Sequence, residues 1–438
     1  MTDLALLRHP TGAAPFASRR GQVIPASRFL ADAAALARLL PDAARVANLC
    51  SDRYRFCVGF AAALLRGQVT LLPPSEAPGQ LAAVLDDRHG LYALTDGEHA
   101  VPVPEFRYPM ALSPSGSGEI PAFASEQPAC VLYTSGSTGR PQPHPRDWGA
   151  LVLAARAAGD AIGIGPLAGA SVIGTVPHQH SYGLESLIML CLQHGCVLHA
   201  ERPFYPADIR AQIAASPMPR ILVTTPVHLR ALLADPEPMP PVSLLLSATA
   251  PLSTELAQAA ERAFAAPLHE IYGCSEIGQL AARRTTRSET WRCLEGTVMH
   301  QDGPDTIATN RAGPGTRLAD VIELLDDGAF RLLGRGADLV NIAGKRSSLA
   351  YLASRLLGLD GVTDAVFTTT AGDPSGRLVA FAVAPGQSAA ALLQALRPLI
   401  DAAFMPRRLH LVASLPRNAT GKLTQDAVAG LLAEADRS

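Results

Sequence analysis

The sequence predicts an α/β protein in two parts: a large N-terminal domain of largely parallel sheets with helices and a small β-rich subdomain, then a small α+β C-terminal domain. Three observations predict it. Helical and strand-like runs alternate from residue 31 to 264, short β-like runs take over after Trp291, and a Gly334-Arg335-Gly336 hinge precedes a last mixed stretch. Residues 1–334 and 335–438 are the expected domains, a division that suits a chain of 438 residues.

In order, apolar residues and alanines recur at helical spacing over residues 31–46, and residues 56–65 before Gly67 read as a helix with a glycine stop. Residues 69–72 read as a buried strand. Strands expected at 130–133, 171–176, 220–223 and 243–246 then alternate with helices at 148–158, 184–192, 226–233 and 253–264. Strand-like runs at 305–308, 321–325 and 330–333 compose the β-rich subdomain. Beyond the hinge, residues 349–356, 362–368, 378–384, 389–399 and 408–411 fit a compact α+β module, and the Pro/Ser/Gly stretch at 109–118 is a surface loop.

Composition excludes some functions. With a net charge of −2 and 17% charged residues, the chain has no excess of positive charge for a nucleic acid backbone. Asp3, Arg8 and His9 interrupt the place of an export signal, and residues 161–177, the most apolar long stretch, carry four glycines, so no membrane span is expected. Seven cysteines without a C-x-x-C pair suit reduced core thiols and a cytoplasmic location. Of 37 basic residues only two are lysines, Lys345 and Lys422, so those two amines are candidates for chemistry.

The loop Thr134-Ser135-Gly136-Ser137-Thr138-Gly139 follows an apolar strand and offers hydroxyls and bare backbone N–H groups to phosphate oxygens. It lacks the G-K-[ST] of a Walker A loop, which sets aside a glycine-loop kinase or ATPase. Glu276 offers the hard oxygen that a divalent cation on a triphosphate needs. His178 and His180 form an H-x-H pair that reads as packing more readily than as a metal site.

Several segments in order resemble the adenylate-forming superfamily of acyl- and aryl-CoA synthetases, stand-alone adenylation domains and luciferases. The loop Tyr133 to Pro141 is similar to T-S-G-S-T-G-x-P-K, and Tyr272-Gly273-Cys274-Ser275-Glu276 to Y-G-x-[ST]-E. Residues 247–252 resemble the small-residue G-G-A-P turn, Gly334-Arg335 with Lys345 the hinge segment, and residues 415–422 the C-terminal L-P-x-x-x-x-G-K segment. Pro177 to Gly183 is similar to the P-x-x-H-x-x-G turn of the acyl tunnel.

The resemblance implies ATP and Mg²⁺ as cofactors and a mobile C-terminal domain. It implies Thr134 and Glu276 as metal ligands, Ser135, Gly136, Ser137, Thr138 and Gly139 on the phosphates, and Ala248, Thr249, Ala250, Tyr272, Gly273, Cys274, Ser275, Asp320, Arg335 and Lys345 around the nucleotide. Lys422 would bridge the acyl carboxylate and α-phosphate, where charge gathers as pyrophosphate leaves. Lys422, Glu276 and His180 are the catalytic candidates, and His180, Tyr182, Thr225, Pro226, Ser247 and Gly273 the acid-binding ones.

Gln142 stands where the family's loop has lysine, so a phosphate contact is lost or comes from His144 or Arg146. The hinge acid falls on Ala337, with Asp338 beside it. The compact form, the Q-x-H variant of the loop and the Arg/Ala-rich composition resemble ligases that load an aryl acid such as a hydroxybenzoate onto an acyl carrier protein. The alternatives are an acyl- or aryl-CoA ligase using free CoA, and a nucleotide-binding regulatory homologue without turnover.

Overall fold

The computed structural model describes residues 2–75, 77–86, 89–98, 101–113, 119–135, 141–303, 305–310, 315–335, 339–342, 345–369, 378–417 and 423–435, without the side chains of 135, 335, 339, 341, 345, 346 and 425. Gly136, Ser137, Thr138, Gly139, Ala337, Asp338, Lys422 and part of the 109–118 loop lie outside them.

Two sheets organise the chain up to residue 335. The first has six strands in the order Pro141–Asp147, Pro128–Ser135, Val69–Leu72, Arg45–Asn48, Leu91–Thr95 and Glu105–Arg107, parallel except for the first pair. The second has eleven, and its run Leu268–Cys274, Leu244–Ser247, Arg220–Thr224, Ser171–Gly174, Val197–His199, Pro15–Arg19 is parallel throughout. Those parallel strands are buried almost end to end because helices cover them, so they read as apolar runs rather than alternating ones. Helices Ala26–Ala37, Arg53–Leu65, Trp148–Ala161 and the helical run from Ser181 to His194 share one core with residues of both sheets. Local chemistry sets several helix ends. Asp52 and Ser253 each accept a backbone N–H of the first turn, from Arg55 and Leu256, and Gly67 at φ +67° ends the Arg53–Leu65 helix.

Two expectations are corrected. The helix expected over 31–46 stops at Ala37, because Pro41 cannot continue it and Arg45–Asn48 is claimed by the first sheet. The run expected to be a helix at 184–192 is helical but contains a π-helical stretch, Leu184–Met189. The β-rich region draws on two sheets around one apolar cluster. Trp291–Cys293, Asp320–Leu324 and Ala329–Arg335 extend the eleven-stranded sheet, while Thr297–Asp302, Asp305–Asn310 and Thr316–Arg317 pair in a separate three-stranded sheet. The hairpin Pro15–Arg19/Gln22–Pro25 and the last helix, Gln425–Ala435, are additions that the apolar pattern did not announce.

After residue 335, strands Asp364–Thr369, Leu378–Val383 and Arg408–Leu411 form a three-stranded sheet with helices Leu349–Leu357, Ala389–Leu396 and Gln425–Ala435. Its buried apolar clusters draw only on residues from 340 onward among those described. No helix among the described residues is long and apolar enough to cross a membrane.

Candidate active site

Thr134 and Ser135, the phosphate-loop candidates among the described residues, end the strand Pro128–Ser135, which pairs with Pro141–Asp147 so that Thr134 faces Gln142. Gln142, His144 and Arg146 alternate with Pro143 and Pro145, so they share one face of their strand. The Thr134 hydroxyl and His144 Nε2 are 2.9 Å apart. Burial pulls the His144 imidazole below its usual range, the Glu276 carboxylate pulls it back, and the Arg146 charge adds to the lowering. Arg146 itself is buried and donates from Nη2 to the Ser275 carbonyl. The two substitutes considered for the missing loop lysine therefore differ: Arg146 is committed to the Ser275 turn, and His144 stands beside Thr134.

The segment Tyr272 to Glu276 ends the strand Leu268–Cys274. Gly273 is required there, since a Cβ would lie 2.4 Å from the Gly278 carbonyl oxygen. The Cys274 thiol is pushed up to about 12, by burial first and then by the neighbouring Glu276 carboxylate, so it is an inert thiol rather than a nucleophile. Glu276 is exposed. Tyr272 donates its hydroxyl to Asp320 at 2.8 Å while its ring packs 5.5 Å from Phe330 and 5.7 Å from Trp291. Asp320 lies opposite Arg335 in the strand register, which brings three nucleoside candidates to one edge. Lys345 opens the strand Lys345–Ser348, and Arg417 and Leu423 form an isolated antiparallel bridge around the L-P-R-N-A-T-G-K segment.

The acid-side candidates lie where neighbouring parallel strands end, the usual binding edge of such sheets. Tyr182 directs its hydroxyl at the carbonyls of Leu246, 3.0 Å away, and Thr224, 3.2 Å away. The Ser247 hydroxyl is fully buried and has no partner among the described residues. Thr225 caps the helix Pro226–Ala234, its hydroxyl accepting the His228 N–H, so it serves the fold at that position. Ala248 is buried, and Thr249 next to it holds φ +79°, a strained value for a β-branched residue. His180 precedes the short helix Ser181–Gly183, and Gly183 packs so tightly that a Cβ would meet the Pro177 carbonyl oxygen at 1.9 Å. His178 is a packing group: its Nε2 is 2.9 Å from the Cys50 carbonyl, its ring meets Phe56 edge-on, and burial then Arg53 lower it to about 3.

Two residues were not singled out by sequence. Arg53 is wholly buried and donates to the carbonyls of Gly174 and Val176 at 2.9 Å each, and also to that of Glu201. Burial, then Arg202, brings its guanidinium down to about 9. Glu185 lies in the π-helical stretch, a lone acid in an apolar helical run, and that oddity was the available signal.

A divalent cation prefers oxygen ligands, and the Thr134 hydroxyl against His144 and the exposed Glu276 carboxylate, whose charge acts on His144, have the chemistry to hold one. The family model described as AMP-binding enzyme matches residues 31–305. The chain belongs to that family. This AMP-binding enzyme is 32% identical over 316 residues to a 4-coumarate–CoA ligase of Halorhodospira halophila, covering 70% of this chain and 78% of that one. It is 26% identical over 346 residues to a 3-hydroxybenzoate–CoA/4-hydroxybenzoate–CoA ligase of Thauera aromatica, covering 68% and 65%. Its fold matches o-succinylbenzoate coenzyme A synthetase from Bacillus subtilis in complex with ATP and magnesium ion, with a TM-score of 0.80 at 18% identity over 97% of this chain and 99% of that one. The AMP-binding enzyme is thus an ATP-dependent, AMP-forming acid–thiol ligase of the adenylate-forming superfamily.

Proposed function

We propose that the chain activates an aryl carboxylic acid and passes the aryl group to a pantetheine thiol. In the first step the carboxylate oxygen attacks the α-phosphorus of ATP, and pyrophosphate leaves as the bond to the β-phosphate breaks. In the second the thiol attacks the acyl carbonyl, the C–S bond forms, the bond to AMP breaks, and the thiol proton goes to solvent. The observation that carries this reading is that Thr134 contacts His144, whose imidazole feels the Glu276 charge, while Tyr272, on the strand that leads to Glu276, bonds Asp320.

In this reading Thr134 and Glu276 hold Mg²⁺, which neutralises triphosphate charge when bound. Residues 135–139 cradle the phosphates, the turn Ala248-Thr249-Ala250 lets the backbone approach the adenylate, and Gly273, Cys274 and Ser275 line the strand end beside it. Tyr272, Asp320, Arg335 and Lys345 hold the nucleoside side. His180, Tyr182, Thr225, Pro226, Ser247 and Gly273 surround the acid, with His180 nearest the reacting carboxylate. Lys422 offsets the charge that develops as pyrophosphate departs. Residues 1–334 and 335–438 act as separate bodies, the second swinging between the steps, a reading supported by its separate apolar clusters.

An aryl acid such as a hydroxybenzoate is favoured because the relatives are named for 4-coumarate and for hydroxybenzoates. The thiol is that of an acyl carrier protein's phosphopantetheine. The second reading is free CoA, which the relatives' names as CoA ligases favour. ATP–pyrophosphate exchange over benzoates, cinnamates, fatty acids and amino acids tests the first step, with exchange expected for aryl acids alone. Thioester assays with CoA and with holo carrier protein test the second, and product with CoA only would sink the carrier reading.

A further inference from the structure

Glu185 is buried, and each of its carboxylate oxygens is engaged. Oε1 accepts the Ser181 hydroxyl at 2.8 Å, and Oε2 accepts the Gln279 backbone N–H at 2.9 Å. Ser181 follows His180 in the acid-side turn, while Gln279 is the second residue of the strand Gly278–Arg283, which follows the turn that carries Glu276. The junction is tight: at Gly278, held at φ +96°, a Cβ would sit 3.1 Å from Glu185 Oε2. A second bond braces the same place, since the Gln279 side chain donates to the Ser186 hydroxyl at 2.7 Å. From the other side Arg146 donates to the Ser275 carbonyl, and its charge acts on Glu185 through the interior.

The π-helical stretch Leu184–Met189 gives this contact its geometry. A π turn inserts a residue into the helical ladder and re-aims the side chains around it, and such turns gather at functional sites. Here it sits directly after the Pro177–Gly183 turn, and its acid reaches a backbone N–H 94 residues further along the chain. A buried carboxylate is costly unless its oxygens are bonded, so the irregular helix and the burial of charge together indicate a position maintained for something other than packing.

We propose that Glu185 is a positioning residue for adenylation: it clamps the turn bearing Glu276 to the acid-side turn, so that carboxylate and nucleotide are presented in one fixed relation. The proposal rests on the assignment of Glu276 to the metal and nucleotide made above. Displacement of a reacting group by about 1 Å costs on the order of a hundredfold in rate, which is the scale of effect at stake.

The test is exchange kinetics of the full chain with Glu185→Gln, Glu185→Leu and Glu276→Gln, together with amide hydrogen exchange over residues 275–279. Glu185→Gln keeps the shape and one acceptor, so it should fold and lose about tenfold in kcat, with a several-fold higher Mg²⁺ half-saturation and an unchanged acid KM. Glu185→Leu should lose about a hundredfold, and the 275–279 amides should exchange faster in both variants. If Glu185→Leu does not fold, Glu185→Gln carries the test. Wild-type kcat and Mg²⁺ half-saturation in Glu185→Gln, with Glu276→Gln inactive, would overturn the clamp alone. Full activity in Glu276→Gln would overturn the site assignment and the clamp with it.

Discussion

At the scale of single residues, a lysine-poor chain concentrates its chemistry. Lys422 is one of two lysines, and the role proposed for it is to meet negative charge that exists only as pyrophosphate leaves. Lys422→Ala should therefore reduce exchange by at least a hundredfold and leave ATP affinity within about threefold, read by exchange and by calorimetry. ATP affinity falling in step with the rate would assign Lys422 to ground-state binding instead. Arg53 acts differently, as a structural cation whose guanidinium is shared by the Gly174 and Val176 carbonyls, just before the acid-side turn, and the Glu201 carbonyl. Arg53→Met leaves those carbonyls buried without a donor, and its expected cost is about 3 kcal/mol in urea unfolding. Because Gly174 and Val176 lead into Pro177–Gly183, the acid KM should rise with it, whereas an unchanged KM would confine Arg53 to stability.

At the scale of elements, turns decide the site more than helices do. Thr249 pays backbone strain at φ +79° beside the buried Ala248. Thr249→Gly should raise the urea midpoint by the equivalent of about 1 kcal/mol, and an unchanged midpoint would show that the Thr249 side chain makes up the strain. Turns were also where the sequence was easiest to read. The Tyr272–Glu276 and Pro177–Gly183 segments are recognisable because few residue types fit them, as the space at Gly273 and Gly183 shows. The alternating core was legible for a similar reason: Val69–Leu72 and Arg408–Leu411 stand as read, since short apolar runs bounded by turn residues have one sensible place in a covered sheet. Arg45–Asn48 was misread because alanine-rich helix and buried strand look alike at four residues, and only Pro41 marked the break. Arg53 escaped because its partners are backbone carbonyls far along the chain, and Glu185 because the backbone N–H of Gln279 that it reaches lies 94 residues away, even though its lone charge in an apolar run was visible.

At the scale of the whole molecule, burial of imidazoles sets the response to pH. His178 is lowered to about 3 and His199 to about 4, and His9, His194, His228 and His269 are lowered too, in every case with burial as the largest cause. Each stays neutral to lower pH in the folded chain than in the unfolded one, where it takes up a proton near pH 6.5. The unfolded state therefore binds more protons as pH falls, so this stability is fully present above about 6.5 and is lost progressively below it. Glu185 and Glu270, raised by burial, work the other way, since their protonation in the fold relieves a cost as pH falls. Two carboxyls oppose these six imidazoles and His144, which burial also lowers, so the net sign is loss of stability in acid. Each imidazole gives up at most about 1.4 kcal/mol per pH unit over its window. His178→Gln isolates one of them, because the amide keeps a donor for the Cys50 carbonyl without a titrating ring. Urea unfolding between pH 7.5 and 5 should show a slope shallower by close to one proton in that variant. Parallel slopes would mean that His178 keeps its ordinary titration in the fold, and that the acid loss belongs to the other buried imidazoles.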